Sequence, residues 1–304
     1  MRDCQWEQPG KFAGLFAMVK VSLADFSRGD GALDRAGIRL SYLWRHGRLP
    51  DVNDPKLFTE WVQYRKLHDR DPRLPTLADK VAVKAWVAAR LGPSWVIPTL
   101  WNGTTLPTEA AWPLPFVVKA RHGCNQTRFM FDGKADWRGI RRDAERWMKS
   151  QYGSWLSEWL YQDIPRGLLV EPYVGDGPTL PVDYKFYVFG GQVEYVQVHL
   201  GRGGKHRWMV LDRDWHRLST PTGDAAPARP SALTKMISAA ETLGQGFNFV
   251  RVDLYDGVKS PLFGEMTFYP GSGLDRFDPV SLDARMGRSW RAALSKGSEA
   301  TLAA

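Results

Sequence analysis

The sequence predicts a protein of the α+β class, built from antiparallel sheets and single helices. Three observations support this class: two hairpin signals and one amphipathic helix between them. Each hairpin signal is a pair of alternating apolar and polar runs around a tight-turn pair, Gly190-Gly191 or Asp256-Gly257. The runs are 183–189 with 192–200, and 248–255 with 262–268. Because the helix at 231–243 stands between two hairpins, the pattern does not favour a doubly wound parallel sheet.

The first part of the chain is predicted to be helical. A helix is expected over 58–67, followed by a turn-rich stretch. Thr76 and Asp79 resemble the ends of a capping box, which would open a helix over 80–91. That helix would stop at Gly92-Pro93, and the Pro-, Gly- and Thr-rich residues that follow are expected to form a linker.

The middle of the chain mixes short strands with one long helix. Strands are expected over 116–118, 129–131, 167–174 and 208–211. The first strand leads into Lys119 and a polar loop, 121–127. A helical stretch is expected from Trp137 to about Trp159.

Length and composition indicate a folded protein with a large core. The chain has 304 residues, is 43% hydrophobic and contains 14 Trp, 10 Tyr and 14 Phe, which excludes a disordered chain. Its two cysteines, Cys4 and Cys124, are too few for the disulfide framework of a small secreted protein. No apolar run approaches the ~20 residues of a membrane helix. We therefore expect a cytoplasmic protein without a transmembrane segment.

The net charge of +8 indicates an acidic partner of some kind. Nucleic acid, a membrane surface and a phosphorylated or acidic substrate all fit this charge. Lys and Arg are spread along the chain and no recognised nucleic-acid-binding motif is present, so no nucleic-acid partner is expected.

The second predicted hairpin carries a candidate metal site. Alternate residues of a strand share a face, so Arg251 and Asp253 lie together on one strand, and Glu265 and Thr267 on the next. Across a hairpin the two sets would converge within about 5–8 Å. Oxygen ligands of this kind suit Mg²⁺. The alternative is a solvated strand face with an Arg–Asp pair.

Three further positions are candidates for binding charged or polar groups. Lys119 and the loop with Gly123 could present an ammonium and backbone N–H groups to a phosphate, although a solvated strand end would look the same. Glu171 lies in an apolar run and needs either a partner or a ligand hydroxyl, unless it points to water from an edge strand. Lys80 and Lys84 are one turn apart, which on local grounds favours an exposed basic face.

A basic, Gly-rich segment follows the first hairpin, over 201–207. It could bind an anionic acceptor, with Arg202 and His206 as the first residues to test. A flexible, solvated loop is the alternative for this segment.

Taken together, the motifs resemble those of ATP-grasp enzymes, and in detail the TupA-like branch, named for teichuronopeptide and cell-surface polysaccharide biosynthesis. The resemblance covers roughly residues 58 to 277. It is carried by Asp79-Lys80, Val118-Lys119 before His122-Gly123, Val170-Glu171-Pro172-Tyr173, Asp183-Tyr184-Lys185-Phe186, Arg251-Val252-Asp253 and Gly264-Glu265-Met266-Thr267. The order and number of these stretches make the set specific, since each one alone is weak.

The resemblance implies an ATP-grasp fold, in which two subdomains of antiparallel sheet plus helix clasp ATP. It also implies three units along the chain. These are a helical N-terminal region with a reduced pre-ATP-grasp part over 1–105, a small subdomain with the hinge over 106–175, and a large subdomain with the metal site over 176–304.

The resemblance also implies a role for each matching residue. Lys80 and Lys119 would contact the ATP phosphates, and Arg251 would steady the transferring phosphoryl group. The loop that contains His122 and Gly123 would fold over the phosphates as a flap. The remaining implied roles are nucleotide binding by Glu171, Tyr173, Val174 and Lys185, and Mg²⁺ binding by Asp253, Glu265 and Thr267. Thr267 stands where the superfamily usually has Asn, which bears on whether a second metal ion binds.

The function implied by the resemblance is that of an ATP- and Mg²⁺-dependent carboxylate–amine ligase. It would join an acid, either a small molecule or a cell-surface polysaccharide precursor, to an amine through an acyl phosphate. One alternative is a phosphotransferase that acts on a hydroxyl of a sugar or small molecule. Another is a basic glycan- or nucleic-acid-binding module without catalysis. The sequence leaves open the acid, the amine, the oligomeric state and the role of residues 1–57.

Overall fold

The structure is a computed structural model, and it contains both predicted kinds of element, helices and antiparallel sheets. It describes residues 31–302, apart from 134–135, 176–179, 202–205 and 258–259. Its helices are α1 (Gly31–His46), α2 (Phe58–His68), α3 (Leu74–Ala78), α4 (Val83–Leu91), α5 (Trp137–Lys149), α6 (Leu233–Gly244) and α7 (Val280–Leu302). Short 3₁₀ turns lie at Pro93–Trp95, Ser154–Leu156, Trp159–Gln162 and Pro270–Gly273. The predicted α+β class is confirmed.

The larger sheet contains both predicted hairpins and has the strand order β7-β6-β5-β8-β9. Its strands are β5 (Asp183–Phe189), β6 (Gln192–Leu200), β7 (Arg207–Asp212), β8 (Phe249–Tyr255) and β9 (Leu262–Thr267), and every neighbouring pair is antiparallel. Gly190 and Gly191 turn the first hairpin at φ 53° and 80°, a region that glycine enters without steric cost. The two hairpins are joined because β5 of the first pairs with β8 of the second. All five strands therefore share one core.

The smaller sheet has the order β1-β4-β2-β3. Its strands are β1 (Trp101–Gly103), β2 (Phe116–Ala120), β3 (Thr127–Met130) and β4 (Leu168–Pro172). Helix α5 covers one face, where Ile140 packs against Phe116, Val118 and Val170 in a core of its own. β4 therefore lies between two strands and has no free edge.

The helical N-terminal region packs on the larger sheet through aromatic side chains. Phe58 of α2 lies 5.1 Å from Phe249 and 5.5 Å from Trp290 of α7, measured between ring centroids, both within the usual range for aromatic pairs. No helix in the described ranges is long and apolar enough to cross a membrane.

The predicted capping box at Thr76 is wrong. Thr76 lies inside α3, because Pro75 occupies the first turn of that helix, where its fixed φ is tolerated. Asp79 holds the turn before α4 instead: its Oδ1 accepts the backbone N–H of Val81 at 2.9 Å, and α4 begins only at Val83, without a side-chain cap. The predicted end of this helix, before Gly92, is confirmed.

The predicted helix from Trp137 to about Trp159 is too long. It ends at Lys149, and the residues beyond it form two separate 3₁₀ turns. Gly153 at φ 77° and Ser157 at φ 55° adopt left-handed conformations, which interrupt a right-handed helix. Trp155 and Trp159 therefore do not share one helix.

Candidate active site

The two sheets border a cleft of about 1000 Å³. Side chains from three parts of the chain line it. They are Lys80 and Lys84 from the helical region, Lys119 and Glu171 from the smaller sheet, and Lys185, Arg251, Asp253, Glu265 and Thr267 from the larger sheet. Residues far apart in the sequence thus face one another across a single opening.

The β8–β9 hairpin brings its four polar residues together. Arg251 lies opposite Thr267, and Asp253 lies opposite Glu265. Arg251 donates to both oxygens of Asp253 at 2.7 Å and to Oγ1 of Thr267 at 3.0 Å. Thr267 in turn donates to Oε1 of Glu265 at 3.2 Å. Because alternate residues share a strand face, this cluster forms on the side that faces the cleft.

Lys185 holds the same cluster from the neighbouring strand. Its Nζ lies 2.6 Å from Asp183 and 2.8 Å from Asp253. Burial and Arg251 oppose the charge of this lysine, but Asp183, Asp253 and Glu265 still raise its pKa. Lys185 therefore remains charged and available to an anionic ligand.

Glu171 is a buried carboxylate with two lysine partners. It is 4% exposed, and its oxygens lie 2.7 Å from Nζ of Lys119 and 2.5 Å from Nζ of Lys84. Burial alone would raise the pKa of Glu171, but the two ammonium groups lower it. The alternative of an edge-strand carboxylate that points to water is wrong, because β4 is an interior strand.

Lys84 is a cleft residue that the sequence reasoning missed. Its side chain is 15% exposed, and Nζ also donates to the Ile97 carbonyl at 2.8 Å. The exposed basic face expected at Lys80 and Lys84 is therefore wrong for Lys84. The signal for Lys84 in the sequence was its spacing of four residues from Lys80. Residues at that spacing lie on one face of a helix, so both lysines could have been assigned to the same site.

Lys80 and the loop after β2 are joined to each other. Nζ of Lys80 donates to the Gly123 carbonyl, and Asp79 forms an ion pair with Arg121. A Cβ on Gly123 would meet the Tyr152 ring at 3.1 Å, so the loop packs tightly there. These contacts hold the loop at the mouth of the cleft.

His122 belongs to the same loop, but its side chain turns away from the cleft. It is 2% exposed, and Nε2 lies 3.2 Å from the Trp147 carbonyl while Nδ1 accepts the Gly167 N–H at 3.4 Å. Burial lowers the pKa of His122, which keeps the ring neutral. Its imidazole serves the packing of α5.

Tyr173 and Val174 both line the cleft just after β4. The Tyr173 N–H donates to the Pro115 carbonyl at 3.0 Å, and its ring packs edge-on against Phe131, with centroids 4.9 Å apart. The structure thus places this segment beside Glu171, as its position in the sequence requires.

The two residues of the candidate acceptor segment have different outcomes. Arg202 lies outside the described residues. His206 is half-buried, with Nε2 3.0 Å from Nδ1 of His199. His199 lines the cleft and was missed, since nothing in its strand marks it as different from a core residue. Burial and the nearby Lys185 keep the pKa of His199 well below its usual value.

A family comparison explains why these residues occur in this order. The family model described as TupA-like ATPgrasp matches residues 60–291. The chain belongs to the TupA-like ATP-grasp family. The predicted family and ATP-grasp fold are therefore confirmed.

Solved structures of three ligases or synthetases are similar to this TupA-like chain. D-alanine–D-alanine ligase from Bacillus anthracis is 12% identical, with 72% of this chain and 69% of that one covered at a TM-score of 0.41. D-cycloserine synthetase DcsG is 20% identical, with 74% and 71% covered at 0.41. The ligase PsnB, complexed with minimal precursor, Mg and ADP, is 13% identical, with 77% and 65% covered at 0.39. No curated protein sequence matches the chain. Family membership rests on the family model, since these similarities are distant.

The donor set of the TupA-like cleft fits ATP with Mg²⁺. The oxygen ligands that Mg²⁺ prefers are offered by Asp253, Glu265 and Thr267. Of the two carboxylates, that of Glu265 is more exposed than that of Asp253. Within the described part of the chain, no group of three His, Cys, Asp or Glu side chains could hold a metal ion alone. Mg²⁺ is usually held by one or two carboxylates plus the phosphates of the substrate.

Proposed function

We propose that this protein is an ATP- and Mg²⁺-dependent carboxylate–amine ligase that acts on a cell-surface polysaccharide precursor or a related acid. One observation carries the proposal: basic side chains from three parts of the chain line one cleft together with the Asp253–Glu265 pair. That arrangement suits a nucleotide whose phosphates need both positive charge and a metal ion.

Lys80 and Lys119 would bind the phosphates, together with Lys185. The Gly123 loop would cover them with its backbone N–H groups, because the His122 ring is committed to packing. Glu171 would bind the ribose or the adenine edge, with Tyr173 and Val174 facing the base. The two lysine partners of Glu171 support this proposal, since they keep it ionised and able to accept a hydrogen bond.

Asp253 and Glu265 would hold Mg²⁺, with the Thr267 hydroxyl as a weaker neutral ligand. Arg251 already spans Asp253 and Thr267, so it is placed to stabilise charge that develops beside the metal. We assign it the role of steadying the phosphoryl group and the resulting acyl phosphate.

The chemistry needs no nucleophile from the protein. A carboxylate oxygen of the acid bonds to the γ-phosphorus, and the bond from that phosphorus to the bridging oxygen breaks and releases ADP. The amine then bonds to the acyl carbon, and phosphate leaves with the electrons of the broken C–O bond. In the first step the carboxylate of the acid and the γ-phosphate of ATP repel each other, since both are negatively charged. The lysines, Arg251 and Mg²⁺ must offset that repulsion.

The proposal includes two points that depend on the family resemblance. The acid would be a small molecule or a glycan, and its partner an amine donor. The units 1–105, 106–175 and 176–304 would be the helical region, the small subdomain and the large subdomain. The cytoplasmic location stays a prediction.

An ADP-release assay against panels of uronic acids and amino acids tests the proposed function. Turnover that needs an acid, an amine and Mg²⁺ together is expected. A stable phosphorylated product that forms without any amine would instead favour a phosphotransferase. Failure of an ATP analogue to bind with Mg²⁺ in calorimetry would exclude both.

Asp253→Asn should abolish this turnover, because the change removes one of the two carboxylates that face the metal. Far-ultraviolet circular dichroism checks that the fold is kept: Asn keeps the size of the side chain, but stability should fall because Arg251 and Lys185 lose the Asp253 charge. Asp136→Asn, on the exposed N-cap of α5, is the matched control and should retain full activity. An unchanged rate in Asp253→Asn would remove the metal assignment.

A further inference from the structure

One region of the cleft lining, which we call the second end, carries no lysine or arginine side chain. It is lined by Glu158, by Ser272 and by three phenols. The phenols are Tyr152, Tyr161 and Tyr269. The lysines and arginines that line the cleft come from other segments: Lys80, Lys84, Lys119, Arg128, Lys185 and Arg251. Glu158 gives this end an acidic side chain, so it suits a cationic group of a ligand.

Glu158 is held in place by a buried hydrogen-bonded chain. Lys66 of α2 donates to Oγ of Ser272 at 2.6 Å and to its carbonyl at 2.9 Å, and the Ser272 side chain bonds to Glu158. All three are nearly inaccessible, with Glu158 at 3%, Lys66 at 2% and Ser272 at 6% exposure. Ser272 has φ 57°, a strained conformation for a residue other than glycine. Strain at such a site persists only where the surrounding structure enforces it.

Tyr269 supplies an independent observation at the same end. Its hydroxyl is buried and has no hydrogen-bond partner in the described protein, and the residue is 3% exposed. A buried hydroxyl without a partner costs about 1–3 kcal/mol, so such groups need a specific explanation. A ligand that bonds to this hydroxyl would provide one.

This end also lies close to the proposed metal site. Cys124 and Tyr161 are 3.9 Å apart, measured from Sγ to the phenol oxygen. Burial raises the pKa of both groups, and both Glu265 and Glu158 raise it further. The Cys124–Tyr161 pair therefore lies within electrostatic range of both carboxylates, Glu158 and Glu265.

We propose that the pocket formed by Glu158, Tyr269 and Ser272 receives the ammonium group of the amine substrate. This rests on the proposed ligase function and deepens it. Glu158 takes one proton from the ammonium, which gives a neutral amine and a carboxylic acid. The freed lone pair then forms the C–N bond, phosphate leaves with the electrons of the C–O bond, and phosphate takes the second N–H proton.

The environment of Glu158 suits a base that works near neutral pH. Burial raises its pKa to about 7, while Lys66 and the Ser272 hydroxyl act in the opposite direction. Other titratable groups that face it are Tyr161, Cys124 and Tyr269. A general base is most effective when its pKa lies near the working pH.

Calorimetry on the full chain, saturated with Mg²⁺ and a non-hydrolysable ATP analogue, tests the pocket. The probes are the twenty proteinogenic amino acids and glucosamine, titrated at pH 8. At least one is expected to bind. Glu158→Gln should lower the affinity for that amine by about 10–100-fold, as expected for the loss of a charged hydrogen bond. Tyr269→Phe should lower it by about 3–10-fold, as expected for a neutral one. The nucleotide affinity should change less than about twofold in both variants.

Tyr269→Phe also covers the case in which Glu158→Gln fails to fold. The hydroxyl that it removes has no hydrogen-bond partner among the described residues, so a purely structural role predicts no loss of amine binding. Tyr64→Phe and Glu145→Gln, both outside the cleft lining, are the matched controls and should bind the amine normally.

A pH series separates a base from a packing residue. Amine affinity of the wild type should fall as the pH drops below 7, because the carboxyl becomes protonated, and Glu158→Gln should lack this decrease. An amine that binds both variants as tightly as the wild type would overturn the pocket. Nucleotide binding without binding of any amine would also overturn it and leave the ATP site intact. Absence of nucleotide binding would overturn the ligase function as well.

Discussion

At the scale of single residues, Glu171 shows how sequence and structure divide the information. An acidic residue in an apolar run requires compensation, and this was predictable. Its two partners are Lys84 of α4, 87 positions away in the sequence, and Lys119 of β2, 52 positions away. Only folding brings either of them to Glu171. Burial makes the pairing consequential, because removing one partner of a buried ion pair leaves charge uncompensated.

Lys84→Met tests that pairing. We expect a loss of about 2 kcal/mol in the free energy of unfolding, less than for a fully unpaired charge because Lys119 remains. Urea denaturation followed by tryptophan fluorescence measures it. Lys149→Met, at the exposed end of α5, is the control and should change stability by less than about 0.5 kcal/mol. Equal stability of both variants would mean that Lys84 contributes nothing to the charge balance of Glu171.

Asp283 makes stability depend on pH. It is 5% exposed and accepts the Thr59 N–H at 3.0 Å and its hydroxyl at 2.7 Å. Burial nevertheless raises its pKa from the ordinary value of 3.8 to about 6. Between these values the native state holds more protons than the unfolded state, so this group's contribution to stability falls as pH rises.

Asp283→Asn should remove that dependence. Relative to the variant, the wild type should lose up to about 3 kcal/mol of stability between pH 4 and pH 7. Denaturant unfolding of both proteins at several pH values measures the difference, so that other titrating groups cancel. A difference that stays constant over this range would show that Asp283 titrates normally.

At the scale of elements, local sequence signals located the hairpins well and the helix boundaries less well. The first hairpin was predictable from Gly190-Gly191, because a tight hairpin turn depends only on the local backbone conformation of its turn residues. The turn before α4 is held by Asp79, which accepts the Val81 N–H and also pairs with Arg121 from another part of the chain. A long-range contact of that kind leaves no local pattern.

Gly287 of α7 provides a test at this scale. A Cβ there would lie 2.9 Å from the carbonyl carbon of Leu57 and would also meet the Lys56 carbonyl. Gly→Ala at an exposed helix position normally stabilises by about 1 kcal/mol, but here overlap should destabilise by about 1–3 kcal/mol. Thermal denaturation gives the sign directly. Arg288→Ala, the exposed neighbour, should be nearly neutral, and a stabilised Gly287→Ala would show that α7 is not packed this closely.

At the scale of the whole molecule, polar side-chain contacts join the helical region to the smaller sheet and the loop after β2. They include Asp79–Arg121, Lys80 with the Gly123 carbonyl, and Lys84–Glu171. The larger sheet supplies the opposite wall of the cleft. A nucleotide that bridges both walls would stabilise the folded state as a unit, since it binds only where all three parts meet.

An ATP analogue with Mg²⁺ should therefore raise the thermal midpoint of the whole chain. At one hundred times the dissociation constant, the expected gain is about 2.7 kcal/mol. Differential scanning calorimetry with Mg²⁺ and with EDTA measures it, and the gain should shrink in EDTA. An identical gain in both would argue against a metal ion between the carboxylates and the phosphates.

The sequence by itself determined the α+β class, both hairpins and the motif order that identified the family. These depend on the alternation of side chains along a strand and on turn residues, which are local properties. Only the tertiary structure decided that Lys84 reaches Glu171, that the His122 ring faces α5, and that Glu158 lies at the second end of the cleft. Each of these depends on which elements pack together, and packing is set by the summed burial of the whole core.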